Sequence, residues 1–120
     1  MCIRDSAPLS NAHLSDPAKF AQSIVSRGEL WADALAAADL LEETKGTLLA
    51  KIVKEHMSEA AWKADALAKS DPRYEEHIKA MVDARRLANL ARVRYDGAKA
   101  MGEFARSAES TRRAEIQASR

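Results

Sequence analysis

Three histidines, His13, His56 and His77, are the side chains best suited to metal or proton chemistry in this 120-residue chain. On antiparallel neighbouring helices, His56 and His77 could approach one another. A di-iron bundle would place a glutamate three residues before histidines on two helices. No histidine here has one: the residues at those positions are Ser10, Val53 and Tyr74. His77 is therefore read as a packed histidine making one hydrogen bond. Glu75 and Glu76 beside it are acids that favour the positive end of a helix dipole. Glu42 and Glu43, next to Lys45, read as solvated charges on a polar face. The chain has no glycine-rich phosphate loop, nucleophile elbow or cysteine–histidine array. Its single cysteine, Cys2, cannot form an internal disulfide or a thiolate cluster. The expectation is a protein with no catalytic residue, no metal and no cofactor, and so not an enzyme.

The basic side chains raise a different possibility. From Arg73 to Arg120 there are eleven Lys+Arg against seven Asp+Glu, a local net of +4, whereas the first 72 residues carry eight against eleven. Arg85, Arg92 and Lys99 recur at heptad spacing, and Arg86 and Arg94 widen the cluster, so a basic ridge could track phosphates. Asp83, Asp96 and Glu103 interleave with it, and opposite charges three or four residues apart on a helix pair with each other. Glu109, Arg112, Arg113 and Glu115 repeat that pattern. The ion-paired face is the preferred reading and nucleic-acid binding the alternative.

The elements that carry these residues are helical. Ser-Asp-Pro occurs at 15–17 and again at 70–72, each time before a helical pattern. An oxygen acceptor followed by proline at the first helical position is a helix start. The first helix is expected over residues 17–26, a short lid with Phe20, Ile24 and Val25 on one side and Gly28 as its stop. A second, over 29–57, presents Leu30, Ala34, Leu41, Leu48 and Ile52, flanked by Trp31, Leu35, Ala38, Leu49 and Val53, and passes through Gly46. Ser58 offers a cap for a third helix over 59–69, in which Ala61, Trp62, Ala66 and Leu67 would cover one end of the core. After Pro72 only Gly97 and Gly102 interrupt a pattern that runs to about residue 116. Such a helix would be roughly 65 Å long by its rise per residue.

Steps of three and four along that last helix give Tyr74, His77, Met81, Ala84, Ala88, Ala91, Tyr95, Ala98, Gly102 and Ala105. This is a heptad seam, and its small residues let a neighbouring helix approach closely. Ile78, Val82, Leu87, Leu90, Val93, Met101 and Phe104 supply bulk beside it. The second helix could cover only about 40 Å of the long one. Residues from Tyr95 to Phe104 would then stay exposed unless the lid or another subunit covers them, and exposed apolar patches mark interaction sites. The expected fold is all-α, an antiparallel helical hairpin with one very long C-terminal helix, a short N-terminal helix and coiled-coil-like packing. The expected partner is a second copy joined through the long helix, with Met101 and Phe104 beside the seam, or another protein.

With 19 Lys+Arg and 18 Asp+Glu the net charge is +1, far from that of a protein that coats DNA. No apolar run approaches the ~20 residues that span a bilayer, and a cytoplasmic chain without membrane partners is expected. The first six residues, MCIRDS, resemble the translation of a transposase end used to tag sequencing libraries. Residues 1–15 are set aside as a disordered or artefactual leader and 16–120 as one helical domain.

One resemblance rests on Tyr74, His77, Ala84-Arg85, Ala88-Asn89, the run from Ala91 through Arg92, Val93 and Arg94 to Tyr95, Ala98, Arg106, Glu109 and the segment Thr111 to Glu115. The pattern is similar to that of small helical proteins encoded by tailed bacteriophages and prophages, near recombination and replication genes. The resemblance implies a phage origin, the bacterial cytoplasm as location and a supporting role near DNA metabolism. It supplies no catalytic residue.

Overall fold

The computed structural model describes residues 16–119. The expected leader, with Cys2 and His13, lies outside them. All elements among the described residues are helices: α1 (Pro17–Glu55), α2 (Ala61–Lys69) and α3 (Pro72–Ala118).

Both Asp-Pro pairs start helices. The Asp16 carboxylate accepts from the backbone N–H of Ala18 at 3.1 Å and of Lys19 at 3.3 Å, satisfying donors the first turn leaves without partners. Asp71 accepts from Arg73 N–H at 2.8 Å in the same way. The expected stop at Gly28 does not occur. The short helix expected over 17–26 and the one expected over 29–57 are a single helix of 39 residues, so residues 17–26 are not a separate lid. A glycine ends a helix by turning left-handed at the position after its last turn. No described glycine has positive φ. Gly28 instead serves a distant neighbour, since a Cβ there would stand 3.2 Å from Cε1 of Tyr95. Its propensity cost, ~1 kcal/mol relative to alanine, accompanies a close approach.

Between α1 and α2 the chain turns over residues 56–60, with N–H of His56 donating to the Val53 carbonyl and N–H of Glu59 to that of His56. Ser58 does not cap α2. The cap position is Ala60, extended at φ −60° and ψ 148°, with no side-chain bond. The buried face of α2 also differs from expectation: Ala64 and Ala68 point inward, while Trp62 is 76% exposed and Leu67 is exposed. Residues four apart share a helix face. The two alanines let α2 lie close to its neighbours, which a tryptophan on that face would prevent.

The chain divides into two compact units, Trp31–Leu90 and the pair of segments Met1–Leu30 and Ala91–Arg120. In the first, the end of α1 runs antiparallel to the start of α3: Glu55 meets Arg73, and Asp39 and Glu42 meet Arg85. Its core is Ala38, Ala64, Ala68 and Ala88 around Ile52. Four alanines remove little apolar area from water at ~25 cal/mol per Å², so this core depends on backbones packed close. Leu40 faces solvent. In the second unit the start of α1 is antiparallel to the later part of α3, with Gly28 beside Tyr95 and Phe20 beside Gly102. Phe20 and Ala98 are buried there, and Leu30, expected on the apolar face, is exposed.

Candidate functional site

All ten seam positions of α3 are buried or half-buried. Ala88 and Ala98 are the most enclosed. Where contacts identify the neighbour, it is α1 of the same chain. The His77 Nε2–H donates to the Leu41 carbonyl at 2.7 Å. A carbonyl only accepts, and its second lone pair is available although the oxygen belongs to a helix. Further along, Tyr95 lies on Gly28, and Phe20 lies on the backbone of Gly102, with its Cζ 3.1 Å from where a Cβ would be. The expected uncovered stretch from Tyr95 to Phe104 is thus divided by side. α1 reaches it because α1 has no break at Gly28, and the 40 Å limit on its coverage does not apply.

Met101 and Phe104 lie on the other side. They are 41% and 75% exposed, and Val93 is 66% exposed. At about 100° per residue, Val93, Gly97 and Phe104 fall roughly opposite Tyr95 and Gly102 around the helix axis, with Met101 next to them. They form a second apolar face rather than the margin of the seam. A Cβ at Gly97 would meet nothing within 4 Å. The period-seven recurrence Leu90, Gly97, Phe104 is the sequence signal for this face.

The basic residues are largely engaged. Arg85 donates through Nη2 to Asp39 at 3.0 Å and through Nε to Glu42 at 3.2 Å. Glu42 is therefore a partner of the long helix rather than a solvated neighbour of Lys45, and both carboxylates raise the Arg85 pKa, Asp39 more than Glu42. Arg86 pairs with Asp83 at 3.0 Å and Arg92 with Asp96 at 3.6 Å. The Lys99 ammonium stands over the Tyr95 ring, 5.3 Å from its centre. Among the described residues Arg94 is the ridge member without such a partner. The pair expected in the tail is present, Arg112 to Glu109 at 2.7 Å with Arg113 at 3.5 Å. The Arg112 guanidinium holds the Glu109 carboxyl below the usual carboxylate range.

Arg73 forms a bidentate pair with Glu55, 2.9 Å on each arm, and also bonds Asp71. It lowers the pKa of both carboxyls, chiefly by side-chain hydrogen bonding. The parallel fork gives the pair a fixed geometry, here joining the end of α1 to the start of α3. The sequence reading did not single out Arg73. Its position directly after the second Ser-Asp-Pro was the available clue.

Among the described residues no cluster of histidine, cysteine, aspartate or glutamate is placed to hold a metal ion. Nor is any helix among them long and apolar enough to cross a membrane. The fold and its surfaces define a class, an all-α protein in which a long C-terminal helix packs on an N-terminal helix. Comparison with protein-family models finds no match, and no curated protein or solved structure is found to be similar to the chain.

Proposed function

We propose that this chain is a non-catalytic helical interaction protein that self-associates through the outward face of α3, acting as an accessory factor of a phage or prophage. The observation that carries the reading is the exposed apolar face made by Val93, Met101 and Phe104. Large apolar side chains gathered on one face of a helix support association better than scattered ones do. A two-fold pairing suits the face. In an antiparallel pair crossing between Ala98 and Lys99, Val93 of each copy meets Phe104 of the other, and the two Gly97 positions leave room near the crossing. The seam is occupied by α1, so this association differs from one through the seam itself. The phage origin rests on the alanine–arginine pattern of the long helix alone.

Sedimentation velocity at increasing concentration tests this. The expected result is a concentration-dependent dimer, lost in V93E/F104E while helical content is kept. A wild-type chain that stays monomeric into the high micromolar range overturns it.

A further inference from the structure

The antiparallel pairing that sets Phe20 on Gly102 brings Pro17, the first residue of α1, level with Ala105. α3 continues thirteen residues further, to Ala118. In that extension every described side chain is exposed except Glu109, which is half-buried. A groove of about 1000 Å³ runs from the first turns of α1 along the later part of α3. Its apolar end is walled by Phe20, Ile24 and Tyr95, with Gly102 and Ala105 also lining it. Its other end carries Arg106, Arg112 and Arg113.

The charges are unequal. Lys99 and the three arginines line the groove against Glu103 and Glu109, a local net of +2. Glu109 is shared by Arg112 and Arg113, which leaves Arg106 without a carboxylate partner among the described residues. The complementary occupant is anionic at one end and apolar at the other. It is also elongated, because Tyr95 and Arg113 are 18 residues apart on one helix, about 27 Å by the rise per residue.

We infer that this groove binds a short acidic amphipathic segment of another protein, which lies beside the first turns of α1 and along the end of α3. Its apolar side chains rest on Ile24 and Ala105, and its carboxylates meet Arg106 and Arg113. Helix-in-groove recognition has this form, with anchors three and four residues apart and charges at the margin. A nucleic-acid strand fits less well, since Phe20 is buried on Gly102 and offers no free ring face for a base to stack on.

The inference rests on the reading of the chain as an interaction protein, yet uses a different surface from the outward face of α3. The test is fluorescence anisotropy with the full chain and a labelled peptide of about twelve residues, leucines four apart and glutamates between. Oligodeoxythymidylate and polyglutamate of equal length are the comparison probes. Saturable binding of the amphipathic peptide is expected, weakened about ten-fold by R106A/R113A and also by I24E, with helical content preserved in each. V93E/F104E should bind the peptide like the wild type, so loss of the dimer and loss of the groove are read separately. The inference is overturned by no peptide binding, by equal binding of either comparison probe, or by variants that bind as tightly as the wild type.

Discussion

The ring of Phe20 lies on the backbone of Gly102, in the space that a β-carbon at position 102 would occupy. Phe20 is also the one large side chain buried among the described residues of its unit. An alanine at 102 would gain helix propensity, ~1 kcal/mol, and lose more by displacing the ring, since overpacking costs about 1–3 kcal/mol. Gly102→Ala should therefore lower stability in urea denaturation. In a F20A background the same change should raise it. A double-mutant cycle that is additive would refute the contact.

Gly46 should give the opposite sign. A Cβ at Gly46 meets nothing within 4 Å, so Gly46→Ala should stabilise the chain by up to about 1 kcal/mol. Gly28→Ala should fall between the two, because the Tyr95 ring stands 3.2 Å from the added carbon and must give way slightly. The order of the three midpoints by thermal denaturation is the measurement.

His77→Phe keeps a ring in the seam and removes the donor to the Leu41 carbonyl. A net hydrogen bond contributes about 0.5–1.5 kcal/mol, and a loss of that size is expected at neutral pH. If His77→Phe and His77→Asn proved equally stable with the wild type, the bond would be without consequence.

Glu55 and Asp71 have lowered pKa values in the folded chain, each mainly through a hydrogen bond from Arg73. Their contribution is present above the unfolded-state values and is lost as pH falls through the folded ones. Stability should decline as pH drops below about 4.5, the ordinary glutamate value. In Arg73→Ala that decline should be shallower, and the difference between the two proteins should vanish in strong acid. The effect is small, as Glu55 and Arg73 are both exposed. Denaturant midpoints measured from pH 7 down to pH 2 resolve it.

The ion pairs of Arg85, Arg86 and Arg92 bear on the nucleic-acid alternative. Each would have to give up a carboxylate to take a phosphate. Duplex DNA should then bind no tighter than about 10⁻⁴ M at physiological salt, with a shallow salt slope. Micromolar affinity and a steep slope in an electrophoretic or anisotropy titration would count against this.

Local signals in the sequence were legible where the chemistry is local. Asp16 and Asp71 start helices because a short carboxylate followed by proline satisfies and pre-sets the first turn, whatever lies elsewhere. The seam from Tyr74 to Ala105 was legible because period alone decides which residues share a face. Gly28 was misread because its role is set by Tyr95, 67 positions away in the chain, and local pattern cannot tell a stop from a site of close approach. That error shortened α1 and made the region from Tyr95 to Phe104 look uncovered. Angular position around α3 already separates Val93 and Phe104 from Tyr95 and Gly102, and treating them as one patch merged two faces. The acids facing Arg85 were missed for the same reason as Tyr95: Asp39 and Glu42 become its neighbours only once α1 and α3 are aligned.

That alignment has a written code. α1 offers a large residue at Phe20 and a gap at Gly28; α3 offers a gap at Gly102 and a large residue at Tyr95. Heptad seams of small residues tolerate slippage by seven, because every alanine resembles the next. Here a slip one way sets Phe20 on the charged Glu109 and lays two glycines against each other, leaving a void. A slip the other way drives Phe20 into Tyr95. Two bumps and two notches, staggered in opposite senses, work as a two-digit combination that accepts one setting.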